Sequence, residues 1–210
     1  MIEAIDEYYY ANQQQRRHLG LSQIGHKCKR FLWYKHRGHD EKKTDGRTLR
    51  LFELGNIIEA QIVFDLAMIG IAVIKRQYQV SFTFNDITLT GSIDGIVNID
   101  VPMLWECKTM NEKNFAKLKK EGYEKYSEQY KTQLHAYMLG IKLKKALVTV
   151  YNKNNSELYD EVICIDEEWI IDKLTDVFKT ISMDSLPAGI CTDEKYFEAN
   201  SCPFKEACFK

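Results

Sequence analysis

What the chain lacks narrows its class before any motif is considered. No apolar run approaches the roughly 18 residues a membrane helix needs, so neither a span nor a membrane partner is expected. The N-terminal stretch MIEAIDEYYYANQQQRRHLG puts acidic residues first and holds no apolar core. It does not resemble a secretory signal, and the expected location is cytoplasmic. Internal repeats and low-complexity linkers are missing too, so 210 residues suggest one domain with appendages. Net charge is nearly absent: 29 Lys and Arg against 30 Asp and Glu leave −1.

What charge there is, however, is unevenly spread. From Arg16 to Arg50 basic residues far outnumber Asp40, Glu41 and Asp45, a second lysine-rich zone runs from Lys113 to Lys145, and the segment from Glu157 onward is acidic. Basic zones can contact the phosphates of a polyanion, although most charge runs are only solvated faces. In a cytosolic setting the six cysteines are expected as thiols or metal ligands rather than disulfides.

Periodicity predicts a helix over 2–18 and another from an N-cap at Ser22 to about His36, with Arg30 and Tyr34 four apart. A polar loop over 39–46 leads to a long amphipathic helix running to about residue 70. Strands are expected over 71–84, 87–94, 95–100 and 103–109, with turns at Asn85-Asp86 and before Pro102. Helices over 112–121 and 124–140 follow, then strands over 144–152 and 158–165. A helix over 166–182 turns Trp169, Ile170, Leu174 and Phe178 inward. The 144–152 strand is expected beside 103–109 after the helical crossover. This order argues an α/β (α+β mixed) fold with a central mixed sheet flanked by helices. It divides into an N-terminal helical segment (1–50), a core (51–182) and a cysteine-bearing tail (183–210).

Three charged residues stand out inside apolar strands. Asp94 lies among Ile93, Ile96 and Val97, and Glu106 and Lys108 lie in LWECKT. Strand alternation puts Glu106 and Lys108 on one face, with Trp105 and Cys107 on the other. Charges are rarely buried unless paired or bound to metal, so two carboxylates and an ammonium converging from adjacent strands suggest a site for a hard divalent cation. A plain hairpin, with Asp94-Gly95 as its turn, satisfies the same alternation. Glu59 sits among apolar residues of the long helix, one turn after Gly55, where it fits equally well on a polar stripe.

These residues resemble the PD-(D/E)XK nuclease signature: Asp94 in SIDGIV, then Glu106-x-Lys108 one hairpin later. Gln133 and Tyr137 in QLHAYML, and Gly55-x-x-x-Glu59 on an earlier helix, are similar to the RecB-like branch. The resemblance implies a restriction-endonuclease-like core that hydrolyses DNA with Mg²⁺ or Mn²⁺. It also implies roles: Asp94, Glu106 and the Cys107 carbonyl as metal ligands and Glu59 as a further one. Lys108 would orient the attacking water or stabilise transition-state charge, and Gln133 and Tyr137 would position the site or the DNA backbone.

Cys28, Cys191, Cys202 and Cys208 resemble the four cysteines, one before and three after the core, that hold a [4Fe–4S] cluster in CRISPR-associated and AddB-type members. The resemblance implies that the tail packs on the N-terminal segment. CPFKEAC (202–208) matches the closing half, but the partner cysteine expected at the position of Ala199 is instead Cys191. Free thiols, or a zinc site using Cys28 with His26, His36 or His39, remain alternatives. Overall the resemblance implies an exonuclease on single-stranded DNA or DNA ends. A structure-selective endonuclease and a non-cleaving DNA- or partner-binding module are its rivals. With no helicase motif or Walker loop, unwinding would come from a partner, among recombination, helicase or CRISPR adaptation proteins.

Overall fold

In the computed structural model, residues 1–14 and 17–210 are described; Gln15 and Arg16, within the first expected helix and at the head of the basic zone, lie outside them. The chain runs α1 (Ile2–Asn12), a 3₁₀ turn (Leu21–Gln23), α2 (Lys29–His36), α3 (Gly46–Met68), β1 (Gln79–Phe84), β2 (Ile87–Ser92), β3 (Gly95–Asn98) and β4 (Pro102–Met110). Then come α4 (Glu112–Glu121), α5 (Tyr123–Tyr126), α6 (Glu128–Ile141), β5 (Lys145–Asn152), β6 (Leu158–Cys164), α7 (Glu167–Ile181), α8 (Phe197–Ser201) and α9 (Lys205–Phe209).

Four strands form the central sheet in the order β3-β4-β5-β6, while β1 and β2 pair as a separate hairpin. β4 and β5 run parallel, with Glu106 opposite Val148 and Lys108 opposite Val150, as a crossover through α4–α6 requires. The other central pairings are antiparallel, so the sheet is mixed.

The sheet separates two apolar layers. On one face Trp105, Cys107, Met103 and Leu147 pack with Ile58 and Ile62 of α3. The other holds the larger core, including Leu134 and Met138 of α6, Ile170 and Leu174 of α7, and Phe31 of α2. The period-2 alternation of β4 therefore sends Trp105 and Cys107 toward α3 and Glu106 toward α6, and the indole N–H of Trp105 donates to Thr149 Oγ1 at 3.1 Å. Side-chain caps start the helices around the site: Asp45 on α3, Asn111 on α4 and Ser127 on α6.

Several expected boundaries shift. The first helix ends at Asn12. Ser22 lies in the 3₁₀ turn, and α2 begins only at Lys29 with Cys28 as its N-cap. The interruption sits at Gly25, where a Cβ would stand 2.6 Å from the Gln129 Cα of α6, so the chain crosses that helix in close backbone contact. The 71–84 strand shortens to 79–84 because Lys75 and Gln77 take positive φ; Ile74 keeps only an isolated bridge to Ile96. The 124–140 helix divides at Ser127, whose extended backbone separates α5 from α6. Trp169 packs against the core as expected, but is only half-buried, edge-on to His135.

The tail lies against the N-terminal segment. Trp33 Nε1 donates to the Met183 carbonyl, Arg30 Nε to that of Pro187, and the Tyr34 hydroxyl to that of Ala207, at 2.8–2.9 Å. Phe204 is buried beside Phe31, their ring centroids 5.4 Å apart.

Candidate active site

A cleft of about 1020 Å³ opens between α3 and the start of α6, with β4 as its floor. Glu59, Asp94, Cys107, Lys108 and Gln133 all line it. Asp94 occupies the step between β2 and β3, where the chain leaves the hairpin for the central sheet. Its Oδ2 accepts the Cys107 backbone N–H at 2.8 Å, which anchors it to β4. Asp94-Gly95 is thus a passage between sheets rather than a hairpin turn.

Glu106 is fully buried. Its Oε1 accepts from Lys108 Nζ and, at 2.9 Å, from Gln133 Nε2. Its Oε2 is buried without a hydrogen-bond partner. Burial pushes the Glu106 carboxyl up to about 7; the Lys108 charge opposes this, and Asp94 and Glu59 reinforce it. Burial raises Asp94 as well, against the pull of Lys108. Glu59, half-buried on α3, is raised by burial and by Asp94, and forms an ion pair with Arg76 at 3.4 Å. For Lys108, desolvation alone would depress the ammonium, but Glu106, Tyr123 and Asp94 outweigh it and hold it well above its ordinary value.

Tyr137 is buried one turn after Gln133, within side-chain hydrogen-bonding reach of it. It therefore supports Gln133 rather than facing the cleft. A Cβ at Gly91 would lie 2.7 Å from the Tyr137 hydroxyl, so the bare backbone of β2 is what makes room for this ring. The Cys107 thiol points to the α3-side core, and burial raises it far out of the thiolate range.

An orphaned carboxylate oxygen beside a second carboxylate that raises its pKa is a suitable donor set for a hard cation. Among the described residues, no three His, Cys, Asp or Glu side chains form a ready metal cage.

Motif reasoning missed several neighbours. Arg76 pairs with Glu59, Tyr130 places its ring 5.1 Å from Lys108 Nζ, and Tyr123 buries an unpartnered hydroxyl nearby. Gln129 and Lys153 also line the cleft. The tyrosine spacing in YEKYSEQY was the only available signal for two of them.

Cys28, Cys191, Cys202 and Cys208 line one small cavity together with Ala199. Arg30 Nη1 donates to Cys208 Sγ at 3.1 Å. The loop from Cys191 therefore reaches the other three, although the four sulfurs do not form a closed coordination shell. His26 instead accepts the Cys28 backbone N–H at 3.1 Å and stacks on Phe31.

No protein-family model matches the chain, and no curated protein sequence does. Solved structures do. An alkaline exonuclease from Laribacter hongkongensis (LHK-Exo) superimposes with a TM-score of 0.55 at 17% identity, over 84% of this chain and 91% of that one. The chain shares its fold. The same exonuclease in complex with dAMP gives 0.52 at 16% identity, with the same shares covered. A structure named SSO0001 gives 0.54 at 14% identity over 99% of this chain and 93% of that one. The mixed sheet flanked by helices is accordingly the restriction-endonuclease-like architecture.

Proposed function

We propose that this protein is a Mg²⁺- or Mn²⁺-dependent deoxyribonuclease of the RecB-like branch, acting as an exonuclease on single-stranded DNA or DNA ends. The observation that carries the reading is the buried, unpartnered Oε2 of Glu106, whose other oxygen is held by Lys108 and Gln133, two residues that line the cleft together with Asp94. An ionised carboxylate oxygen is costly to bury unpaired, and a divalent cation would satisfy it. Asp94 and Glu106 would hold that cation, with the Cys107 carbonyl and Glu59 as further donors. When bound, it would lower the pKa of a ligated water and neutralise charge developing on the phosphate.

The chain's own groups do the rest. Lys108 orients the attacking water or stabilises the phosphorane charge. Gln133 fixes the Glu106 carboxylate, and Tyr137 buttresses Gln133. That a fold neighbour is an alkaline exonuclease, crystallised once with dAMP, is in keeping with this reading.

The convergence of four cysteines on one cavity supports a [4Fe–4S] cluster held by Cys28, Cys191, Cys202 and Cys208. It would tie the tail to α2; zinc is the weaker alternative. A time course on 5′- and 3′-end-labelled linear DNA, with circular DNA as control, tests the function. Mononucleotide or short-fragment release from linear strands supports the reading, and cleavage of circles replaces the exonuclease with an endonuclease.

A further inference from the structure

The cleft does not stop at Tyr130. A second groove, of about 410 Å³, is lined by Asn114 and Lys117 of α4, Tyr126 of α5, and Ser127, Gln129 and Tyr130 at the head of α6. Gln129 and Tyr130 belong to both hollows, so one trough runs from the carboxylates over α6 to α4. Tyr126 and Tyr130 are half-buried with ring centroids 6.0 Å apart, and each lies beside a lysine: Lys108 Nζ is 5.1 Å from the Tyr130 ring, and Lys117 Nζ is 5.6 Å from the Tyr126 ring. Lys117 is half-exposed, and its contact to Glu121 is loose at 3.8 Å. None of the residues lining this groove is acidic.

Aromatic faces alternating with lysines along a trough are the chemistry of single-strand binding. Stacking needs a base released from its duplex, and the lysines meet the phosphates between bases. Tyr130 is itself stacked on Tyr123, their centroids 5.7 Å apart, which leaves Tyr126 as the open aromatic of the groove. We propose that this groove is the track of a single DNA strand on one side of the scissile phosphate, with a base against Tyr126 and a phosphate at Lys117. The inference rests on the nuclease reading and deepens it: the preferred substrate is unpaired along this side.

Fluorescence anisotropy with an oligothymidylate of about 12 nucleotides, in EDTA so that nothing is cleaved, tests it. Tyr126→Ala is expected to weaken binding about tenfold and Tyr126→Phe to restore it, as loss of a stacking face predicts. Lys117→Ala should reduce the slope of log affinity against log salt by about 0.7. Lys144→Ala, on the exposed loop before β5, is the control. If the wild type cleaves DNA with Mn²⁺ but Tyr126→Ala and Lys117→Ala bind single strands as the control does, the track is wrong and the nuclease reading stands. If binding depends on Tyr126 but no DNA is cleaved with either cation, the track stands and the nuclease reading falls.

Discussion

Gln133 Nε2 stands 2.9 Å from Glu106 Oε1, so a helix side chain holds the one buried carboxylate of the central strand. The amide also accepts from Lys108 Nζ at 3.5 Å, linking the carboxylate and the ammonium of the pair. Gln133→Ala removes both contacts and should cut cleavage by about 10- to 100-fold, the usual cost of losing a group that orients a metal ligand. Gln133→Glu should do worse, by adding a carboxylate against Glu106. Initial rates of DNA cleavage check both.

Lys108, partly exposed in the cleft, pairs with the fully buried Glu106, and removing the lysine strands that carboxylate. Lys108→Met should therefore lower stability at neutral pH by about 3 kcal/mol, and adding Glu106→Gln should recover most of it. Urea denaturation in EDTA measures this cycle. Activity should not recover in the double variant.

Gly91 faces the Tyr137 ring across a gap with no room for a methyl group. Gly91→Ala should cost about 1–3 kcal/mol by overpacking and slow cleavage by displacing the support of Gln133. Combining it with Tyr137→Phe removes the hydroxyl nearest the new methyl but leaves the ring carbon at 2.8 Å and Leu21 Cβ at 2.9 Å, so little of the stability should return; thermal unfolding of both variants is the check.

His135 is buried between α5 and α7. Its Nε2 meets Glu124 at 2.9 Å, its Nδ1 accepts the Asp166 backbone N–H at 3.0 Å, and Lys131 lies nearby on its own helix. Burial holds its pKa below 6.5, outweighing Glu124. The folded state thus binds this proton less readily than the unfolded state, and this group's contribution to stability falls as pH drops below 6.5. His135→Asn should destabilise the protein at pH 8, with a deficit that narrows on acidification. Melting temperatures across that range decide it.

Much of this was legible in the sequence. Alternation along LWECKT put Glu106 and Trp105 on opposite faces of β4, and the sheet separates them that way because one layer packs on α3 and the other on α6. The β4–β5 parallel pairing followed from the intervening helices. Boundaries failed where tertiary contact overrode local pattern: Gly25 crossing α6, and the positive φ of Lys75 and Gln77. Tyr137 carried the motif spacing of a cleft residue but lies behind Gln133, a depth that spacing does not encode. Arg76, which pairs with Glu59, and Lys153, which lines the cleft, were invisible because they lie on loops outside the motif-bearing elements.

The central claim is that Asp94, Glu106 and Lys108 form a cation-dependent phosphodiesterase site. Nucleotide release from linear single-stranded DNA by the wild type and Asp94→Asn, with Mn²⁺ and with EDTA, tests it most directly. Asn can still accept the Cys107 N–H, so the fold should persist while the cation is lost. The account predicts release by the wild type only with Mn²⁺, and a loss of about 100-fold or more in Asp94→Asn. Equal rates in the two proteins, or undiminished release in EDTA, would contradict it.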